Sequence, residues 1–401
     1  MSLFFADNHS LYFEHMLIAR NLLEGKGYSW DEWGRAALQS SSMIPPLYVY
    51  WCAFFQWLSP ANFLPMYLGQ AVIAATGCFP AYRLGKRLFS ERAGLLFAAC
   101  YAFYPELVFI HSKAVAESIY VVMVLWMIER YAALREEPPG SRRAVKIAVF
   151  VGALSGTAML VKEAAGIVAI AIVLALLLRF RARITAIRSH MLPALAAMAL
   201  VMCPWIVRNA IVQGEFIPIR TAFGINWWVA NHPGAAGNDR YADGTYVMSS
   251  LPKDYADYLN RILPFDEQDR DRVYAEEVLR FIRQHPSEYL ALCGKRFVYW
   301  IWFVSGHQLA KNPVYRASWI ALLALSIPGL VCAARRHLLD PVFSLSLLGY
   351  MLLYVPTTVL PRYRVVTTTI LLLFAAVAID GIARYVEARS KASALSSPPP
   401  A

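Results

Sequence analysis

Apolar residues in this chain come in runs of about 17–22, the length that crosses a hydrocarbon core as a helix, and charges gather between the runs. Such runs lie at 64–83, 93–110, 116–134, 145–161, 163–179 and 190–208, and again at 316–334, 340–357 and 365–383. A long polar stretch, 210–288, separates the two groups. Tyr289–Val304 is apolar but holds Lys295 and Arg296, which suits an interfacial helix bringing that stretch back to the membrane. Leu47–Leu58, aromatic and apolar, reads as interfacial or embedded. Prolines inside runs (Pro80, Pro105, Pro193, Pro328) are tolerable because neighbouring helices can satisfy the freed carbonyls. Ahead of the first run the period changes. Tyr12, Met16, Ala19 and Leu23 share one face of a 3.6-residue helix, with Glu14, Asn21 and Glu24 elsewhere. Asn8 or Ser10 can cap its start and Gly25 or Gly27 can end it. This helix is too polar to span and suits lying at the surface, with Asp7 at the rim.

The pattern predicts an all-α integral membrane protein, a polytopic helical bundle of about nine to ten spans. Its segments are an opening extracytoplasmic loop (1–63), a six-span block (64–209), a larger extracytoplasmic loop with its interfacial helix (210–315), a three-span block (316–384) and a disordered cytoplasmic tail (385–401). Composition agrees: 58% of the 401 residues are apolar, 16% are charged, and mean hydropathy is positive. The six cysteines are scattered, without CxxC or metal spacing, and read as small hydrophobes. The opening Met-Ser-Leu-Phe-Phe-Ala is too short for a signal-peptide core.

A net charge of +11 would suit nucleic acid if it were clustered; its distribution points to topology instead. Connections 83–92, 130–146, 179–189, 335–336 and 384–391 hold eighteen Lys and Arg, against four in 111–115, 162 and 358–364. The first set is therefore cytoplasmic. The opening loop, the Lys113–Glu117 turn, Lys162-Glu163, the long loop and Pro361–Arg364 share the outer side.

Candidate chemistry lies on that outer side. Glu117 enters an apolar helix, where a carboxylate is costly unless it lines a cavity or finds a partner. Its structural reading is a first-turn acid paired to Lys113. Lys162-Glu163 occupies a very short turn, as a ligand site or a mutual ion pair. Pro204-Trp205-Ile206-Val207-Arg208-Asn209 ends a span, where an aromatic anchor and a snorkelling cation suffice as an explanation. Arg362 and Arg364 stand at the outer mouth of the last span against the charge trend, and guanidinium forks suit an anionic ligand such as phosphate. Asn226, Trp227, Trp228 and Asn231 make either a sugar platform or an interfacial anchor. Asp31, Glu32, Asp239 and Asp243 read as ordinary loop acids.

In order, the Asp7 loop, Pro45-Pro46-Leu47, Ala116-Glu117-Ser118, Lys162-Glu163, Trp205…Arg208-Asn209, Asn226…Gly237 and Arg362-Tyr363-Arg364 resemble polytopic glycosyltransferases of the GT-C fold. The similar groups are the family 39-like protein O-mannosyltransferases and the lipid A aminoarabinose transferases. The resemblance implies transfer of a sugar from a polyprenyl-phosphate carrier to a lipid, glycan or protein acceptor on the outer side of the inner membrane. The charge distribution, for its part, gives no reason to expect a nucleic-acid partner. The resemblance places Asp7 where these families carry their essential acid, as base or as partner of a divalent metal, with Glu117 beside it. Arg362, Arg364, Arg208 and Lys162 are the donor-phosphate candidates; Trp227, Trp228, Asn226 and Asn231 are those for sugar or acceptor. Two positions depart. Ile44 stands where aminoarabinose transferases have lysine, and Asn8 where mannosyltransferases have glutamate, so neither group indicates the acceptor. These families carry a transmembrane helix before the first loop, so a truncated or mis-assigned start is the expectation for this chain, with a genuinely shorter variant as the alternative. The alternative function is a transporter or flippase for a lipid-linked or anionic solute, for which broken-helix repeats would be the signature.

Overall fold

The computed structural model describes residues 13–31, 37–181, 183–241, 245–247, 265–304 and 307–396. Nearly all of this is helix. Asp7, the capping residues Asn8 and Ser10, Glu32 and Asp243 lie outside the described residues.

The opening helix α1 (Glu14–Leu23) buries Met16 and Ala19 as the spacing predicts, together with His15 and Ile18, while Leu23 is exposed. Gly25 and Gly27 turn the chain with φ of +75° and +71°, the left-handed region that favours glycine. A two-residue hairpin follows, Ser29–Trp30 against Gln39–Ser40. Pro46 then begins α2 (Pro46–Leu58), whose exposed face carries Tyr50, Phe54 and Trp57.

The predicted span 64–83 is two helices, α3 (Leu64–Thr76) and α4 (Cys78–Leu88). They join at Gly77, where the Tyr101 ring leaves no room for a side chain. The next is also broken, α5 (Glu91–Phe103) and α6 (Pro105–His111), bent by 53° at the proline. Then come α7 (Glu117–Leu134), α8 (Arg142–Val161), α9 (Ala165–Phe180) and α10 (Ile184–Gln213). After the polar stretch, which contains α11 (Phe223–Trp228), α12 (Glu267–Gln284) and α13 (Pro286–Ile301), the chain returns as α14 (Pro313–Arg335), α15 (Pro341–Tyr354) and α16 (Val365–Ser396). Among the described residues four helices are long and apolar enough to cross a membrane, Arg142–Val161, Ile184–Gln213, Pro313–Arg335 and Pro361–Lys391. The bent α5–α6 pair makes a fifth if it is one span. Helices α9 and α15 are apolar but shorter, 16 and 14 residues.

The centre of the bundle is its last helix. Val365, Val366, Ile370, Leu372, Leu373, Phe374 and Ala376 are all buried, against α7 with Val121, Val124, Leu125 and Ile128. Helices α10 and α14 lie outside, with most of their apolar windows exposed, as lipid-facing surfaces are. Small residues let backbones touch. A Cβ on Gly152 would meet the Ala194 carbonyl oxygen at 1.9 Å, and one on Gly329 the Phe374 carbonyl oxygen at 1.8 Å.

Polar connections collect at the two ends. At one, Arg87 pairs with Glu136, Arg135 with Asp340, Arg92 with Glu387 at 2.9 Å, and Arg384 with Asp380 at 2.8 Å. Ser189 accepts from the Gly140 amide there. These are the connections richest in Lys and Arg. The other end gathers α1, the hairpin, the turns at 112–116 and 162–164, the polar stretch and residues 356–364.

Candidate functional site

Three loops far apart in sequence meet at this second end. The Glu117 carboxylate, buried at the start of α7, has Lys162 Nζ at 2.9 Å and Arg362 Nε at 3.5 Å. Lys162 follows the last residue of α8, and Arg362 sits in a 3₁₀ turn, Pro361–Arg364, that leads into α16. Glu163 turns instead to Arg220, Nη1 to Oε1 at 3.2 Å. Lys162 and Glu163 are thus not a mutual pair, and Glu117 pairs with Lys162 instead of Lys113. The Glu14 and Asp239 charges also act on Arg362, drawing α1 and the polar stretch into the same field.

Beside these ion pairs opens a cleft of about 290 Å³. Lys162, Glu163, Arg220 and Tyr363 line its charged side; Trp227, Phe223, Ile219 and Leu353 its apolar side; Asn226, Thr357 and Thr358 add neutral polar groups. An aromatic column supports the charged side. Tyr363 stacks on Tyr354 at 4.6 Å, Tyr354 stacks on Trp300 at 5.6 Å, and Lys162 lies 5.2 Å from the Tyr363 ring centre.

Burial and charge oppose each other here. Burial would raise the Glu163 carboxyl, but Arg220 first and Lys162 second outweigh it and hold it below its ordinary value. Burial would lower the Lys162 ammonium, and Glu117 and Glu163 reverse that, so it stays charged. At His15 burial wins: it pushes the imidazole down to about 4 against the opposing Ala114 carbonyl and Glu117. The His15 Nε2 donates to the Ala114 carbonyl at 2.9 Å, fixing α1 to the turn just ahead of Glu117.

Other expected site residues are committed to the scaffold. Arg208 donates from Nη1 to the Ser41 carbonyl at 2.6 Å and to Ser42 Oγ at 3.0 Å, and from Nη2 to the Tyr28 carbonyl at 3.3 Å. With Trp205 donating to the Ile219 carbonyl and Asn209 to those of Ile217 and Ile219, it braces the segment that presents Arg220. Arg208 is therefore neither a snorkelling end nor a wall of the cleft. Arg364 is fully buried, its Nη1 on the carbonyls of Trp302 (2.5 Å) and Tyr299 (3.2 Å), its Nη2 on the Tyr315 hydroxyl, its plane over Trp319. Trp228, 1% exposed, packs with Tyr274, Val247 and Val278. Asn231 is fully buried, donating to the Trp227 and Thr357 carbonyls and accepting from Arg296. Arg296 likewise donates to the Ala230 and Val355 carbonyls, so it holds α13 to the rest and does not snorkel. Of the expected residues Lys162, Arg362, Glu117, Trp227 and Asn226 come together around the cleft; Arg208, Arg364, Trp228 and Asn231 stand behind it. Asp7 lies outside the described residues.

Among the described residues no group of three His, Cys, Asp or Glu side chains could hold a metal ion. The donor set explains this. Glu117 faces two cations, which would repel a divalent ion.

The same architecture occurs in solved proteins. Archaeoglobus fulgidus oligosaccharyltransferase, in complex with Zn and sulfate, matches over 97% of this chain with a TM-score of 0.55 and 12% identity. AglB from Archaeoglobus fulgidus, in complex with an inhibitory peptide and a dolichol-phosphate, matches over 99% with a TM-score of 0.53 and 12% identity. The fold is that of the GT-C glycosyltransferases. The chain spans about half the length of these relatives, 47% and 49% of their chains. Residues 44–207 match the family model described as dolichyl-phosphate-mannose-protein mannosyltransferase, a range that includes Glu117 and Lys162. A more distant likeness, to ArnT from Cupriavidus metallidurans in the apo state, has 14% identity and a TM-score of 0.41, over 91% of this chain and 72% of that one. No curated protein matches the chain.

Sequence reasoning missed Arg220, Glu163 as a separate group, and His15. Arg220 stands in a polar stretch with many charges, and its sequence neighbours give no sign that Trp205 and Asn209 fix its backbone. Asp239, read as an ordinary loop acid, is a partly buried acid: burial raises its carboxyl, opposed first by Arg362 and then by Arg240.

Proposed function

We propose that this protein is a membrane glycosyltransferase that moves a sugar from a polyprenyl-phosphate donor to an acceptor, with inversion at the anomeric carbon. The observation that carries this reading is the gathering of Lys162, Arg220 and Arg362 from three separate loops beside a cleft with one apolar, aromatic side. A phosphate leaving group needs fixed positive charge where its own charge develops. Lys162 and Arg220 in the wall, with Arg362 beside Glu117, would supply it, and the apolar side suits the first isoprene units. Trp227 and Asn226 would face the sugar, one by stacking and one by hydrogen bonding. Arg208 and Arg364 would act through the loops they brace.

In this reading the acceptor attacks the anomeric carbon, the bond from that carbon to the phosphate oxygen breaks, and the polyprenyl phosphate leaves. Asp7 takes the role its resemblance implies, that of base, with Glu117 fixing the cations. The cleft would face the periplasm from an inner membrane, as the Lys and Arg distribution suggests. The five segments drawn from the sequence, 1–63, 64–209, 210–315, 316–384 and 385–401, would be its working parts.

The test is turnover. Purified full-length protein in detergent is incubated with a radiolabelled polyprenyl-phosphate sugar and a panel of lipid and glycan acceptors. Release of the polyprenyl phosphate, lost in Asp7→Ala, is the expected result. Transport without chemistry would need two compartments and leave the donor intact, and an unchanged donor across the panel would sink the reading.

A further inference from the structure

Of the ion pairs around Glu117, the one between Arg220 and Glu163 stands apart because both partners line the cleft. Glu117 does not line it; its carboxylate is 5% exposed, whereas the Arg220 and Glu163 side chains are 18% and 36% exposed. An anion in the cleft therefore meets the Arg220–Glu163 pair directly, whereas Glu117 is reached only through Lys162. The Glu163 carboxylate is only half satisfied. Oε1 accepts from Arg220, while Oε2 is buried with no hydrogen-bond partner. Across the cleft the polar groups are neutral, Asn226, Thr357 and Thr358, and the Thr358 hydroxyl is also buried without a partner.

Resting on the donor assignment above, we propose that Glu163 is a ligand for a hydroxyl group of the acceptor, masked by Arg220 until the donor phosphate takes that guanidinium, so that donor binds before acceptor. The argument is one of competition. A phosphate offers the guanidinium fork stronger, two-pronged hydrogen bonds than one carboxylate oxygen at 3.2 Å. Once Arg220 turns to it, Glu163 sits beside a second negative charge with two unsatisfied oxygens. A partly buried carboxylate in that state needs a hydrogen-bond donor, and a hydroxyl supplies one without adding charge. Loss of the Arg220 field also removes the main influence that now keeps the carboxyl low. With the cleft empty, Arg220 holds Glu163 Oε1 and the acceptor finds no free carboxylate to accept its hydroxyl.

Binding of decaprenyl phosphate to the full chain in detergent, followed by tryptophan fluorescence, tests this. Wild type binds. Glu163→Gln removes the competitor for Arg220 and binds about fivefold more tightly, yet transfers no sugar to a hydroxyl acceptor. Arg220→Ala binds about tenfold or more weakly, having lost a charge-assisted fork. A Glu163→Gln variant that binds as weakly as Arg220→Ala, or no differently from wild type, overturns the inference, because Glu163 would then be only a prop or a bystander. Should that variant not fold, Glu163→Asp, with its shorter reach, must shift affinity in the same direction. Wild type that fails to bind decaprenyl phosphate overturns the donor assignment itself, a result distinct from either.

Discussion

At the scale of single residues the site is a balance of buried charges in which each group's value depends on its partners. Glu117 neutralises Lys162 and Arg362 together. Glu117→Gln keeps the shape but leaves the largely buried Lys162, and the more exposed Arg362, facing an amide, which should cost about 3 kcal/mol of stability, mostly through Lys162. A lowered melting temperature in detergent, with a milder loss in Glu117→Asp, is the expected outcome. Arg362 and Arg364 look equivalent in sequence and are not. Arg364 is fully buried with four oxygen acceptors, whereas the Arg362 side chain is 43% exposed, with Glu117 its ion-pair partner. Arg364→Ala should unfold the turn and lower the melting point sharply. Arg362→Ala should melt near wild type, since Lys162 still holds Glu117, and lose affinity for decaprenyl phosphate. Melting curves and binding isotherms on the two variants separate these roles; equal melting losses would refute the division.

At the scale of elements, one helix depends on a neutral imidazole. Helix α1 docks through His15, which stacks edge-on against Tyr48 at 5.0 Å and donates to the Ala114 carbonyl. Burial brings His15 down to about 4, the pull of Glu117 being partly cancelled by Arg362 and Lys162. The unfolded histidine, with its ordinary value near 6.5, binds more protons than the folded one between these limits. Its contribution is therefore complete above about pH 6.5 and is lost as pH falls towards 4. Hydrogen exchange of the α1 amides should accelerate over that window, and a His15→Phe variant should flatten the dependence. Sequence periodicity found this helix and its face. It could not find the histidine's role, because Ala114 is 99 positions away and its acceptor is a backbone oxygen. The same limit explains Arg208, Arg364 and Asn231. An arginine that ends on backbone carbonyls has the same letter as one that awaits a phosphate. Trp227 and Trp228 show the reverse case, adjacent residues of one short helix, one reaching the cleft and one the core. The need for glycine at 77 was illegible for a steric reason, because it depends on the Tyr101 ring of α5 packing against that position.

At the scale of the whole molecule, what the sequence made legible was sidedness. Counting Lys and Arg divided the short connections into two sets, and the fold brings each set together at its own end. Arg87 with Glu136, Arg135 with Asp340 and Arg92 with Glu387 unite the basic connections. Lys162, Glu117 and Arg362 unite the sparse ones. Neither pairing could be read from the chain, yet both follow if the helices cross alternately, because a helix of odd placement would carry a basic connection to the cleft end. The long loop is held to that end too, by Trp227 and Asn231 donating to the carbonyls of Pro356 and Thr357. The fold thus converts a statistical bias into a strict expectation for topology. Alkaline phosphatase, active only outside the cytoplasm, should be active when joined within the long loop, after Pro233, and silent when joined after Gly140 or Arg336. A cytoplasmic reporter at the same three sites should give the opposite pattern. Activity after Gly140 together with silence after Pro233 would invert the molecule, place the cleft in the cytoplasm and remove the case for an outward-facing transfer; mixed signals within one end would break the alternation on which the bundle is built.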